Sequence, residues 1–385
     1  MTGGGGNAAL HVERVNDRRA LVRFLEMPKA LYADDGNWVA PLLFERLHHL
    51  DPRKNPYFDH AEAAFWVACR DGRPVGRISA QADRAHLELH DAATGQFGFL
   101  EAEDDPEVFR ILLATAEDWL RERNLTRALG PFTLSINDES GLLIEGFETP
   151  PYLMMGHARP YYARRLEQQG YAKAKDLIAY AYDLSTEPPA TIRAFVDKAK
   201  AENDLRFRPM DRSRFGAELS MIVDIFNDAW AGNWEFLPFS EPEMKYLASN
   251  LKPLVRADDV AIAEIGGEPV AMAVSLPNVN EAIADLGGRL LPFGWARLIW
   301  RLKIRGTKSA RMPLMGVRRQ YQGTPLTAAL MLGVIDLIRV SHRARGTQWS
   351  ELSWILEDNR PTRRLIEKFG GRAYKTYRVY EKNLT

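Results

Sequence analysis

Two pairs of matching segments recur in the same order along the chain. An internal repeat of this length constrains the fold more tightly than any other feature of the 385 residues. Residues 65–76 (FWVACRDGRPVG) match residues 260–271 (VAIAEIGGEPVA), with Gly72 opposite Gly267 and Pro74 opposite Pro269. Each copy predicts a strand, a tight glycine turn and a return strand. At an offset of 200 residues, Arg164, Glu167, Gly170, Lys175, Tyr180 and Leu184 align with Arg364, Glu367, Gly370, Lys375, Tyr380 and Leu384. Each copy here predicts a helix closed by glycine and followed by aromatic-rich strands. Between the matches, 106–123 and 325–343 predict long helices that open on a proline, which suits the first helical position. A strand is predicted after each, over 126–134 and 348–356. The order β-α-β-β-β-α-β-α-β is thus written twice, which argues for duplication. The boundary is placed in the polar, proline-containing stretch 185–190, giving domains 10–185 and 190–385, with the glycine-rich residues 1–9 as a disordered tail.

With 46% hydrophobic residues the chain has apolar material for more than one core. Its 51 basic and 51 acidic residues cancel, which argues against nucleic acid as a partner. The single cysteine, Cys69, excludes an internal disulfide or thiolate metal cluster and reads as a buried strand residue. His48 and His49 lack partners at metal spacing, and there is neither an HExxH motif nor a Gly-x-Ser-x-Gly elbow, so no metal is expected. No signal-peptide layout opens the chain, and no uncharged apolar window of about 18 residues is present. The expected location is cytoplasmic.

The element order resembles that of the GNAT superfamily of acyl-CoA-dependent N-acyltransferases. The implied fold class is α/β (α+β): two tandem GNAT-like domains, each a mixed central sheet flanked by helices. Residues 311–317 (RMPLMGV) resemble the family's central strand, and 318–330 (RRQYQGTPLTAAL) its pyrophosphate loop and following helix. In such a loop, backbone N–H groups and a helix N-terminus meet the diphosphate of coenzyme A. The resemblance implies acyl-CoA as cosubstrate, contacted by Gly316, Val317, Gln322, Gly323, Thr324 and Thr327. Pro325 and Thr327 stand where glycine is usual, and the Thr324 and Thr327 hydroxyls are candidate replacement donors. Residues 354–370 (WILEDNRPTRRLIEKFG) resemble the family's strand, asparagine and closing helix. By that resemblance Asn359 contacts the pantetheine arm or the attacking amine. Ile366 stands where the family often has a tyrosine acid, leaving Tyr374 or Tyr377 as substitutes. The first half carries 101–106 (EAEDDP) at the equivalent loop; its carboxylates would repel a diphosphate, so this half is expected to be a pseudo-domain without coenzyme A.

Amide formation needs a neutral amine, a donor for the carbonyl oxygen and a stabilised thiolate. The main chain around Gly316–Val317 is the expected donor. Glu351 and Glu357 share a strand face by alternation, and Glu357, nearer the strand end, is the candidate base; the plainer reading is a solvated carboxylate. Glu139 and His157, in a polar loop region of the first half, are a candidate acid–base pair, against the alternative of turn polarity and a hydrogen-bonded histidine. Trp234 and Phe236 are candidates for an apolar acceptor pocket or a packed junction.

Residues 277–308 form an insertion where the family needs only a turn. On a helix, Trp295, Leu298, Ile299 and Leu302 share one face and Arg297, Arg301 and Arg305 another, as in an interfacial amphipathic helix. Each arginine near an anionic surface contributes about 1 kcal/mol. The alternative is a helix packed on its own domain. The tandem arrangement and the insertion are similar to bacterial ceramide synthases, which join a fatty acyl-CoA to a sphingoid amine. The expected function is N-acylation of a long-chain amine beside the inner membrane. The alternatives are a small-molecule or protein N-acetyltransferase, and a non-catalytic lipid- or protein-binding module.

Overall fold

The computed structural model describes residues 10–385; the expected tail, 1–9, lies outside them. The chain folds into two compact units. The first comprises residues 10–176, Gly287–Arg289 and Tyr377–Thr385; the second comprises Leu177–Leu286 and Leu290–Thr376.

In unit one the strands run in the order Leu10–Arg14, Ala61–Arg70, Arg73–Asp83, Thr94–Ala102 and Arg127–Gly130, with residues 377–383 of the final strand, Arg372–Asn383, at the far edge. Unit two repeats the plan with Leu205–Pro209, Val260–Ile265, Glu268–Pro277, Ser309–Val317 and Trp349–Leu356, closed by residues 177–183 of strand Ala172–Asp183. Each sheet has one parallel pair, Thr94–Ala102 with Arg127–Gly130 and Ser309–Val317 with Trp349–Leu356. A helix makes each parallel crossover: Pro106–Arg121 in unit one, Pro325–Ala344 in unit two.

The first repeat forms matching hairpins. Asp71 and Gly72 in one, Gly266 and Gly267 in the other, all have positive φ, the two-residue turn whose twist suits antiparallel strands. The second repeat is crossed. Tyr180 donates to Glu367 at 3.0 Å in unit two, and Tyr380 donates to Glu167 at 3.2 Å in unit one. Each copy's tyrosine strand therefore closes the sheet beside the other copy's helix, Arg360–Lys368 or Tyr162–Gln168. This exchange puts the change of unit at Asp176/Leu177, upstream of the polar stretch 185–190. The strand expected over 126–134 is shorter, Arg127–Gly130, because Pro131 brings no N–H to a ladder.

Unit two's core gathers around helix Pro325–Ala344, where Ala329, Leu330, Val334 and Ile338 are buried. By length and composition this helix is able to cross a membrane, yet more than half of its apolar window is buried inside the unit. Unit one's Phe24, Tyr57, Val67 and Cys69 lie in its own core.

Candidate active site

In unit two the parallel ladder runs from Ser309↔Trp349 to Met312↔Leu352 and stops. Pro313 follows, with no N–H to continue it, and the antiparallel register on the other side slips between Val274 and Leu276. The strands then part around a cavity of about 280 Å3. Met315, Gly316 and Val317 wall it on one strand, Ser353, Trp354 and Ile355 on the other. Thr327, Met331 and Ile335 of the long helix form another side, and Trp230, Asn233 and Asn359 complete the polar rim.

Trp230 stands edge-on to Trp354 at 5.8 Å and donates Nε1–H to the Met315 carbonyl at 2.9 Å. Gln322 donates its amide to the carbonyls of Ala229 (3.0 Å) and Val317 (2.8 Å). Along a strand the N–H and C=O of one residue point to the same edge, and the edge alternates. Met315 and Val317 therefore turn their N–H groups to the open edge, while Gly316 pairs with Met272. Of the expected donor pair, Val317 faces the cavity.

The loop before the long helix is braced by Arg318 on Asp224 (2.6 Å) and Arg319 on Asp228 (3.2 Å). The hydroxyls of Thr324 and Thr327 both donate to the Tyr321 carbonyl, at 2.6 and 2.5 Å. A hydroxyl has a single proton to give, so these two fold the turn rather than replace glycine N–H groups as phosphate donors. No side chain caps the helix at Thr324; Pro325 has no N–H and the Thr327 N–H donates to the Thr324 carbonyl (3.1 Å), so the helix offers an anion its partial positive charge rather than a full row of N–H donors. Gln322, Gly323 and Thr327 line the cavity; Thr324 does not.

Glu357 lies outside the cavity wall, and its carbonyl accepts from Arg363 at 2.8 Å. The alternation expected to align it with Glu351 is broken by a register shift between Leu352 and Ile355. Glu351 is fully buried. It accepts from Ser353 Oγ at 2.5 Å and from the Tyr374 hydroxyl. Arg311 Nε lies 3.5 Å from Glu351 and donates to Ser353 Oγ at 2.9 Å. Among the described residues no carboxylate or histidine lines the cavity; Ser353 connects its wall to this buried acid. Asn359 spends Oδ1 on the Thr362 N–H (3.3 Å), which leaves its NH2 as the donor it offers the cavity. Ile366 lines the wall, but neither Tyr374 nor Tyr377 does. Tyr377 is fully buried beside Gly141 in unit one, because the final strand leaves unit two after Thr376. Neither tyrosine stands where the expected acid would. Phe236 packs on Phe226 at 5.4 Å, and neither it nor Trp234 lines the cavity; their neighbours Trp230 and Asn233 do, a contribution hidden in the sequence by the abundance of aromatics there.

The equivalent place in unit one is closed by its own chain. Phe132 N–H donates to the Phe97 carbonyl at 2.9 Å, and a Cβ on Gly98 would lie 1.6 Å from the Phe132 oxygen. The carboxylates of 101–106 are engaged internally. Asp105 caps helix Pro106–Arg121 through Glu107 N–H (2.8 Å) and binds Arg70 (2.6 Å), while Arg73 holds Glu103 and Arg165 holds Asp104. Glu139 and His157 do not form the expected pair. His157 bonds Asp35 at 2.9 Å and Glu139 takes Arg46, each satisfied by a partner remote in sequence. His11, Glu13 and Cys69 converge within metal-ligand reach, but Arg23 donates to Glu13 (2.6 Å) and Cys69 (2.7 Å), so a guanidinium supplies the positive charge there.

The insertion forms helix Gly294–Trp300 and then a wider π turn, Arg301–Arg305. The change of pitch breaks the expected arginine stack. Arg301 turns inward to Asp285 and the Ala282 carbonyl (2.7 Å), and holds the Asp285 carboxyl down at about 2. Arg297 stays exposed. Leu298 and Leu302 are half-buried, whereas Leu291, Phe293, Trp295, Ile299, Trp300 and Ile304 are exposed. The apolar surface is thus real but drawn from different residues.

The two matching sheets, each with its parallel pair and crossover helix, and the cavity at the splay in unit two define a tandem GNAT N-acyltransferase. No family model matches the chain. It is 47% identical over 379 residues to the bacterial ceramide synthase of Caulobacter vibrioides (strain NA1000 / CB15N), covering 98% of both chains. It is 45% identical over 372 residues to protein YghO of Escherichia coli (strain K12), covering 96% of this chain and 93% of that one. The chain belongs to the bacterial ceramide synthase family. Among solved structures, a tandem GNAT protein from the clavulanic acid biosynthesis pathway superposes with a TM-score of 0.56 at 14% identity, covering 98% of this chain and 99% of that one. A GCN5-related N-acetyltransferase from Sphaerobacter thermophilus gives 0.52 at 14% identity over 97% and 96% of the two chains. These likenesses are of fold.

Proposed function

We propose that the protein transfers a long acyl chain from its coenzyme A thioester to the primary amine of a sphingoid-type lipid. The observation that carries this is the full-length identity to a bacterial ceramide synthase, joined to a cavity at the strand splay with an uncapped helix N-terminus at its mouth. The helix N-terminus would take the diphosphate, and the parted strands would take the pantetheine arm and thioester. Val317 N–H would stabilise the oxyanion. With no tyrosine in the wall, the thiolate would leave without a side-chain acid. A thiol has an ordinary pKa of about 8.5, so this is a modest demand near neutral pH.

The acceptor's long chain fits a peripheral place on the inner membrane face. Six exposed apolar side chains, Leu291, Phe293, Trp295, Ile299, Trp300 and Ile304, fall within one short segment, with Ile304 75% and Phe293 72% exposed. A patch of this kind marks a membrane or partner site. Arg297 and Arg305 beside it match an anionic lipid surface.

The test is thiol release from palmitoyl-CoA and acetyl-CoA, each with and without sphinganine, with products identified by mass spectrometry. Sphinganine-dependent release from palmitoyl-CoA and an N-acyl product are expected. Preference for acetyl-CoA, or release from no donor–amine pair, overturns the reading.

A further inference from the structure

Helix Arg360–Lys368 of unit two has two faces. Asn359, Pro361, Thr362 and Ile366 look onto the cavity. Arg360, Arg364 and Lys368 stand four apart on the outer face, and all are exposed, as is Arg372 beyond the helix. Among the described residues none of these four pairs with a carboxylate. Glu357 and Asp358 precede the row, and Glu367 accepts from Tyr180 at 3.0 Å. Arg363 is turned inward, to the Tyr180 hydroxyl and the Glu357 carbonyl. The row opposes the helix that carries it: like charges four apart repel, and a cation in the first turn meets the positive helix end. Other exposed arginines of the unit are matched, Arg319 by Asp228 and Arg343 by Glu187. An unmatched row suits a partner with acidic groups.

Position separates this row from the apolar insertion. Strands Ser309–Val317 and Trp349–Leu356 are parallel, with Ser309 opposite Trp349. The insertion enters the pair at Ser309, where the Lys308 and Ser309 N–H groups donate to Glu281 (2.9 and 3.0 Å). The basic helix follows Leu356, at the other end of the pair, where Gln322, Gly323 and Asn359 share the cavity rim. A membrane touched by the insertion therefore leaves the row for a different partner. From Arg360 to Lys368 the row runs about 12 Å, longer than a single phosphate can engage.

The loop facing the row supplies a second, independent observation. The N–H groups of Gln322, Thr324 and Thr327 are spent on the carbonyls of Arg319, Tyr321 and Thr324, at 3.0, 3.4 and 3.1 Å. Pro325 has no N–H, and both threonine hydroxyls go to the Tyr321 carbonyl. Among the described residues this leaves the N–H groups of Gly323 and Leu326 in the turn. So small a donor set meets one phosphate more fully than the linked pair of coenzyme A. Pantetheine joined through one phosphate to a protein is the other common form of an acyl thioester. Such a donor asks less of the phosphate loop and more of the surface beside the cavity mouth.

We propose that the outer face of helix Arg360–Lys368 docks a small acidic protein that carries the acyl chain on its own phosphopantetheine, so that the cavity takes a protein-borne thioester besides free acyl-coenzyme A. This rests on the reading of the cavity as the thioester site. The C–S bond to the carrier's pantetheine breaks, the C–N bond to the amine forms, and the amine's proton leaves with the sulfur as thiol. The test compares wild type with the triple variant Arg360→Gln, Arg364→Gln, Lys368→Gln, using a purified acyl carrier protein in its holo and palmitoylated forms. By calorimetry wild type binds the holo carrier, more weakly as salt rises, and the variant binds at least tenfold more weakly. With sphinganine as acceptor, kcat/KM for the palmitoyl carrier falls at least tenfold in the variant and that for palmitoyl-CoA less than threefold. No binding by wild type, or equal binding by wild type and variant, overturns the proposal. An equal fall for the two donors also overturns it and assigns the row to the phosphates of coenzyme A. Should the triple variant fail to fold, Arg364→Gln is read in the same way. Binding needs no turnover, so carrier binding without transfer from either donor would sink the transfer reading alone.

Discussion

Ser353 Oγ donates to Oε1 of Glu351 across 2.5 Å, tying the wall of the cavity to an acid with no exposed surface. Arg311, itself 3% exposed, lies against both. Removing one member of a buried ion pair strands the other and costs about 3–5 kcal/mol, whereas a hydrogen bond to a charged group contributes about 1.5–3 kcal/mol. Glu351→Ala is therefore expected to lower unfolding free energy more than Ser353→Ala in urea titrations. Equal losses would mean that Arg311 finds other compensation.

The splay cavity makes a kinetic prediction. Met315→Trp places a bulkier indole side chain in the space between the parted strands. The KM for acyl-CoA is expected to rise at least tenfold, while overpacking costs about 1–3 kcal/mol of stability. Steady-state kinetics and a thermal melt on the same preparation check both. An unchanged acyl-CoA KM would place the thioester elsewhere.

For the insertion, the exposed side chains rather than the arginine row carry the expected membrane contact. Replacing Phe293, Trp300 and Ile304 with serine removes apolar surface worth about 1.5–3 kcal/mol per side chain. Partitioning onto phosphatidylglycerol vesicles is expected to fall at least about a thousandfold in sedimentation assays. Arg297→Glu is expected to weaken it modestly and in a salt-dependent way. Arg301→Glu is expected to act on the fold of the segment, since Arg301 is committed to Asp285.

His342 gives a pH dependence. It is 3% exposed, on the core helix, and burial together with the Arg345 charge lowers its pKa to about 3. Unfolding restores the ordinary value of about 6.5. Because the folded value is depressed, the neutral imidazole's contribution is complete above about 6.5 and is lost progressively as pH falls toward about 3, at up to about 1.4 kcal/mol per unit. His342→Gln is expected to flatten this part of the stability-against-pH curve. A variant with the wild-type slope would assign the titration to another group.

Gly98→Ala tests the plug in unit one. Its Cβ would meet the Phe132 carbonyl at 1.6 Å, a backbone atom with no side-chain freedom to yield. The substitution is expected to destabilise the protein by about 3 kcal/mol or more. A near-neutral melt would show that the 132–140 loop is able to lift away.

Much of the architecture was written locally. The hairpin turns at Gly72 and Gly267 need two residues with positive φ, and the helices opening at Pro106 and Pro325 need a residue that has no N–H to lose; such signals act over a few residues and survive in any context. Gln322, Gly323, Thr327, Val317 and Asn359 were placed by the resemblance of their segments to a known loop and strand end, and all five line the cavity. Long-range facts escaped. That Tyr180 would meet Glu367 and Tyr380 meet Glu167 depends on which copy's strand each sheet edge accepts, and two near-equal repeats offer the same local pattern for either choice. The register shift that separates Glu351 from Glu357, the π turn that rotates Arg301 inward, and the pairing of His157 with Asp35 arise only when distant elements pack. Periodicity reports what a segment prefers; the partner that completes a buried charge is supplied by the assembled chain.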